Sequence, residues 1–453
     1  MANTYLTRTP SGAGTSNKIF TLSVWVKRSN FGQLAISGSG DSSGYNNVFL
    51  EFDGSNRLRF AQLDSASFPF EYITNRLFRD VNAWYHIVCT VDSTNSTEAD
   101  RVKIYVNGVR ETSFSTTNHP PLNQVFKWND ARVHSIGREG AWDARYFDGS
   151  MSHFHNIDGT AYDASAFGQY DANGVWTIKT SPSVTYGTNG FFILKDGNSV
   201  TDQSPNTNNF TVGGGNLTKT EDNPSNVFAT LNPLWKDTVS AGAITYSNGN
   251  TSFYPNTDGN SFTRSTLGAS SGKYYIEIKA TEVNTGQSTS MNIVPSDEYG
   301  ASHSSSGTYG FQIQLNSTNT QLKKEVEGSS TTINSSFSSG SIAMMAVDLD
   351  NGKMWIGYNG TWYNNNNPSS TLDTNNPDIT GIPTSVDYLI GFRGYMQGGY
   401  PSGYYNQANV NFGNGYFGTT AISSAGTNAS NNGIFEYDVP TGYTALSTKG
   451  LNE

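Results

Sequence analysis

Hydrophobic positions recur along this chain with a period of two, in short runs broken by polar, glycine-containing stretches. In LSVWVK, Leu22, Val24 and Val26 share one parity, the spacing that places alternate side chains on one face of a strand. WYHIVCTVD from Trp84 and RVKIYVNGV from Arg101 continue the series, and Asn107-Gly108 supplies the pair that a tight hairpin with positive φ requires. Further on, AITYSN around Ile244, KYYIEIKA from Lys273, YGFQIQL from Tyr309 and IAMMAVDLDNGKMWIGYNGTW from Ile342 repeat the pattern. Asp350-Asn351-Gly352 predicts a hairpin whose second strand carries Met354 and Ile356 on one face. Its partner, AMMAVDL, is apolar at consecutive positions and is expected to be covered on both faces. No window holds a heptad or a long apolar run, so neither a coiled coil nor a membrane helix is expected.

Composition strengthens the all-β reading. The 453 residues include 47 Gly, 25 Tyr and 25 Phe and are only 14% charged, which suits short strands joined by turns. That length accommodates two domains, each with its own core. We place antiparallel β-sandwiches at residues 1–215 and 241–453, with a linker at 216–240. The opening MANTYLTRTPSGAGTSNKIF has neither the basic nor the apolar region of a secretory signal, so synthesis in a cytoplasm is expected without export by that route. A net charge of −10 without a basic cluster argues against a nucleic-acid partner. The single cysteine, Cys89, excludes an intrachain disulfide and is expected to be buried and inert. Without an export signal, the Asn-X-Ser/Thr triplets carry no weight.

NAWYHIVCTVD, VKIYVNGVRE and SIGREGAWDARYFDGSMSHFHNIDG, taken in that order, resemble the core of the concanavalin A-like, laminin G or pentraxin-type sandwich over residues 5 to 215. The resemblance implies a jelly-roll-like sandwich and glycan or calcium binding at one rim. Asp143, Asp148 and Asp158 are the calcium candidates, since calcium needs several convergent oxygens; turn-forming aspartates are the alternative. Trp142 is a candidate ligand contact. His153 and His155, two apart on an expected strand, form a conceivable metal pair without a visible third ligand. This fold also hosts retaining glycosidases with a Glu-x-Asp-x-x-Glu strand. Here Glu51-Phe52-Asp53 is followed by Gly54, Ser55 and Asn56, so the second carboxylate is missing and a strand end entering a turn is expected instead. No nucleophile elbow or phosphate loop occurs, and an enzyme is not expected.

DNPSNVFATLNPL resembles a recurrent junction in structural proteins of marine phages. KYYIEIKA, VDLDNGKMWIGYNG and NVNFGNGYF together resemble a SPRY-type domain over about residues 240 to 420, and GIFEYDVPTGYTALSTKGLNE resembles the ending of such phage proteins. SPRY domains bind partners through variable loops, which draws attention to Tyr395, Tyr400, Tyr404 and Tyr405 in the glycine-rich GFRGYMQGGYPSGYYNQ, a source of flat faces and hydroxyls for sugar or protein. Trp355 is expected in the core and Trp362 at the periphery, as a further contact. These resemblances imply a virion structural protein, either a tail fibre, head fibre or decoration protein that attaches to host polysaccharide, or an architectural cement between virion proteins. A glycan hydrolase is the third possibility. A homo-oligomer is expected of such a protein, trimers being common for fibres.

Overall fold

The computed structural model describes residues 3–195, 199–235, 244–281, 287–297, 308–315, 320–334, 337–363, 368, 376–396 and 407–452. Among these the chain is all-β, with strands paired antiparallel and only single turns of 3-10 helix. It divides into two compact units, Met1–Lys219 with Asn223–Ser225, and Thr220–Asp222 with Asn226–Glu453.

In the first unit, one sheet runs in the order Phe114–Asn118, Ser67–Leu77, Arg57–Asp64, Asn46–Phe52, Leu34–Gly40, Val133–Ile136, Tyr5–Arg8, Thr211–Gly214. A second runs Phe191–Ile193, Gly149–Asp158, Ile19–Arg28, Trp84–Asp92, Val102–Val106, Val109–Arg110. Alternation sets the sandwich: Leu22 pairs with Cys89 and Val24 with Ile87, and all four face the buried core with Val48, Leu50 and Phe52 of the opposite sheet. Cys89 is thus buried among aliphatic side chains, and burial holds its thiol far above the ordinary range. The Trp84–Asp92 strand is apolar at nearly every position because its other face is covered too. Val88 and Ile157 pack there beneath Phe167, Tyr186 and Phe192. The Asn107-Gly108 hairpin forms with φ of 48° and 81°, and the glycine lets Trp176 lie flat against the turn, where a Cβ would overlap the ring.

The second unit repeats the scheme. Its larger sheet runs Ile244–Ser247, Ser252–Pro255, Ala408–Asn411, Lys273–Ala280, Ile342–Asp348, Lys353–Tyr358, Thr361–Trp362, with Ile379–Thr380 also against Lys353–Tyr358. The other runs Gly259–Ala269, Tyr388–Met396, Ser288–Pro295, Tyr309–Leu315, Thr320–Val326, Ser329–Asn334. In the doubly apolar run from Ile342, Ala343, Met345 and Val347 enter the core between the sheets. Ile342, Met344 and Ala346 point the other way, into a cluster with Tyr275, Trp355, Phe435, Val439 and Tyr443. The segment that follows residue 433 therefore covers the sheet's outer face.

One boundary needs correction. Residues 226–232, expected within a linker, belong to the second unit. Ala229 and Leu231 are buried between its sheets and Phe228 lies under the outer cover. The backbone is tied in as well, with Ala229 N donating to Leu446 O at 3.0 Å and Leu231 N to Asn250 O at 2.8 Å. A polar stretch with a few apolar islands reads as linker only when the destination of those islands is unknown.

Candidate functional site

On the outer face of the first unit's larger sheet, polar and aromatic side chains gather above the core. Along Asn46–Phe52, Val48, Leu50 and Phe52 point inward, which leaves Asn47, Phe49 and Glu51 on the outer face. Register then sets Arg59 beside Glu51, and Ala61 between Phe49 and Glu71. The loop after Val133–Ile136 folds back over this face. Gly38 and Gly40 admit it, since a Cβ at Gly38 would overlap the Glu139-Gly140 backbone, and Ala35 N donates to Arg145 O at 2.7 Å.

The result is a chain of alternating charges. Arg59 bridges Glu71 at 2.6 Å and Glu51 at 3.2 Å, and Arg145 Nη1 bridges Glu51 at 3.3 Å and Glu139 at 2.6 Å. Gln33 donates to both Glu51 oxygens at 3.0 and 3.2 Å. The carboxylates lie beneath and the guanidiniums above: side-chain exposure is 0% for Glu51, 1% for Glu139 and 23% for Arg145. Burial pushes Glu139 up to about 7 against the pull of Arg145, and raises Glu51 as well. The Arg145 guanidinium stands over the Trp142 ring at 4.8 Å. Trp142 packs against Gly44, and its neighbour Tyr45 is 63% exposed.

Chemically, this face can bind but is poorly arranged to cleave. Two carboxylates face each other, as a glycosidase needs, yet one guanidinium nitrogen lies between them and both are shut from solvent. A second catalytic-looking pair fails on proton placement. Ser23 Oγ lies 2.9 Å from His86 Nε2, but Trp176 Nε1 donates to His86 Nδ1 at 3.0 Å. In the neutral ring Nε2 therefore carries the proton and donates to the serine, the reverse of a general base. Burial holds His86 down at about 3, so the ring stays neutral.

The calcium candidates do not converge. Asp158 is saturated by backbone amides, accepting from Thr15 N at 2.6 Å, Ser16 N at 2.9 Å and Asn189 N at 2.8 Å. Asp143 is 83% exposed and faces Arg138 at 3.8 Å, while Asp148 is half-buried beside Asn30, its carboxyl raised by burial. His153 and His155 do lie together, ring centroids 6.5 Å apart and both against Phe192, but with no third ligand among the described residues. The register of Gly149–Asp158 shifts between Ser152 and His155 and His153 takes φ 49°. His155 is stacked on Phe192 at 3.9 Å and bonded to Tyr186 OH at 3.0 Å. Among the described residues no three His, Cys, Asp or Glu side chains stand together as a metal site would require.

In the second unit, Tyr395 is half-buried and pairs in register with Asn260 and Ser288. Tyr400, Tyr404 and Tyr405 lie outside the described residues. Trp362 sits on the other sheet, 6.2 Å from Tyr275 beside the outer cluster, and so does not share a face with Tyr395. Asp53, as expected, caps a turn, accepting from Ser55 N and Arg57 N. Sequence reading missed Arg59, Glu139, Arg145 and the central place of Glu51. Register alone would have paired Glu51 with Arg59, but no local signal marks a loop residue that returns to a strand far behind it in the chain.

The sequence model of the concanavalin A-like lectin/glucanases superfamily, laminin G type, matches residues 2–163. The Trp142 and Arg145 face lies within that match. No curated protein is similar in sequence. Similar solved structures include the TRIM65 PSpry domain (11% identity, TM-score 0.28, 40% of this chain and 91% of that one) and the SPRY domain of human HERC1 (14%, 0.26, 37% and 91%). A third is the heptameric SAP-like pentraxin of Limulus polyphemus (14%, 0.27, 35% and 71%). The first part of the chain is thus similar to the concanavalin A-like, laminin G type.

Proposed function

We propose that the chain is a lectin-like, non-enzymatic structural protein of a bacteriophage virion, a tail fibre, head fibre or decoration protein that attaches to host-surface glycan through the outer face of its first sandwich. The observation that carries the glycan reading is Arg145 stacked over the Trp142 ring above the outer sheet face, with exposed Tyr45 next in the chain to Gly44, against which Trp142 packs. Aromatic faces take the apolar side of a sugar ring, and a guanidinium edge donates to its oxygens. The buried, arginine-blocked Glu51 and Glu139 support binding without hydrolysis. The virion setting rests on the phage-like junction DNPSNVFATLNPL and on the closing GIFEYDVPTGYTALSTKGLNE. Single sites of this kind bind weakly, and repetition in a homo-oligomer on a particle supplies avidity.

The architectural reading draws on a different surface. Val109, Tyr170 and Val175 are all more than half exposed, on the two hairpins that Trp176 joins by packing against Gly108 and Tyr170, a patch suited to a neighbouring virion protein. Binding of the purified protein to host cells and to their isolated surface polysaccharide, with and without calcium, separates the two. Saturable, sugar-competed binding that Tyr45→Ala weakens at least tenfold is expected. Absence of binding under every condition would transfer the weight to the architectural role.

A further inference from the structure

Arg145 is held as a binding group is held. Its backbone sits at φ 57°, a left-handed conformation that is unfavourable for a non-glycine residue and persists only where the surroundings enforce it. Nη1 is fixed by carboxylates from two separate segments, Glu51 and Glu139, and the plane of the guanidinium is set by Trp142. The rest of the fork is unused. Nε and Nη2 have no acceptor among the described residues, and the side chain is partly open to solvent. A fixed, partly exposed guanidinium edge with two parallel donors matches a carboxylate in geometry and charge, whereas a sugar hydroxyl uses only one of the donors. The buried acids below do not oppose such a ligand as bare charges would, because each spends its charge on an arginine lying between it and the surface. Asp143, an exposed acid in the same loop, accepts from Tyr146 OH and faces Arg138 at 3.8 Å.

We propose that the glycan recognised on this face is acidic, a uronic- or sialic-acid-bearing polysaccharide whose carboxylate seats on the Nε–Nη2 edge of Arg145 while the adjoining ring lies against Tyr45. This rests on the glycan-binding reading above and narrows it. The test uses the full chain and three probes, oligogalacturonate, oligoalginate and oligosialic acid, each beside its methyl-esterified form and with dextran as the neutral comparison. At least one acid is expected to bind ten times or more tighter than its ester. Arg145→Lys, which keeps a cation on Glu51 and Glu139 but loses the fork, is expected to abolish that preference with the melting temperature little changed. Should the lysine variant fail to fold, the acid-to-ester ratio on the native protein still decides. Equal binding of acid, ester and dextran overturns the acidic assignment and leaves the glycan reading standing. Binding of no sugar at all overturns both.

Discussion

At the scale of single residues, the two sandwiches each bury an acid where water cannot reach it, for different purposes. Glu139 completes the charge chain under Arg145. Glu277 instead holds backbone: its carboxylate accepts from Glu436 N at 3.0 Å, Tyr437 N at 2.9 Å, Tyr275 OH at 2.9 Å and Asn411 Nδ2 at 3.2 Å, pinning the outer cover to the sheet. Burial raises both acids from 4.5 to about 7, and Asp378 from 3.8 to about 6. A carboxyl whose folded value exceeds its unfolded one binds protons more tightly when folded. Its contribution is full below pH 4.5 and is lost as pH rises through 7, on the order of 3 kcal/mol for Glu277. Thermal melting followed from pH 4.5 to 8 is therefore expected to show both units losing stability, with part of the fall in the second unit removed in Glu277→Gln. That variant starts lower at pH 5 by about 1–3 kcal/mol, because an amide cannot accept all four donors. A pH-independent native transition would contradict the assignment.

At the scale of elements, the hairpins test how tightly the turn residues are specified. Gly108 combines φ 81° with the Trp176 ring against its Cα, so Gly108→Val meets both backbone strain and a steric clash. A loss of at least about 2 kcal/mol in denaturant unfolding is expected; an unchanged midpoint would mean that the tryptophan moves aside at no cost. The strands themselves were legible because period-two alternation is a local signal, as in Leu22, Val24 and Val26, and because Asn107-Gly108 and Asp350-Asn351-Gly352 announce their turns. Consecutive apolar residues from Ile342 correctly implied a doubly covered sheet. What covered it was not legible, since Phe435, Val439 and Tyr443 lie in irregular chain without a period. The same limit hid the Arg145 site, where Glu139 reaches Glu51 through a loop whose path depends on Gly38 and Gly40 across the sheet.

At the scale of the whole molecule, the second unit begins earlier than its first strand suggests. Leu231 is fully buried between sheets although it precedes that strand, so Leu231→Ala is expected to lower the stability of this unit by about 2–5 kcal/mol and to leave the unfolding of the first unit unchanged. Two-transition calorimetry checks this, and a silent substitution would restore the linker reading. The outer cover has a consequence for the order of synthesis. A ribosome completes the Lys273–Ala280 and Ile342–Asp348 strands well before it reaches residues 435–445. Until then Tyr275, Met344 and Trp355 lack the partners that bury them, and Glu277 lacks the amides of Glu436 and Tyr437. The nascent second unit thus passes through a stage with a sticky, half-dressed sheet while the first unit already has every strand it needs, which makes the interval before residue 435 emerges the moment of greatest exposure to aggregation.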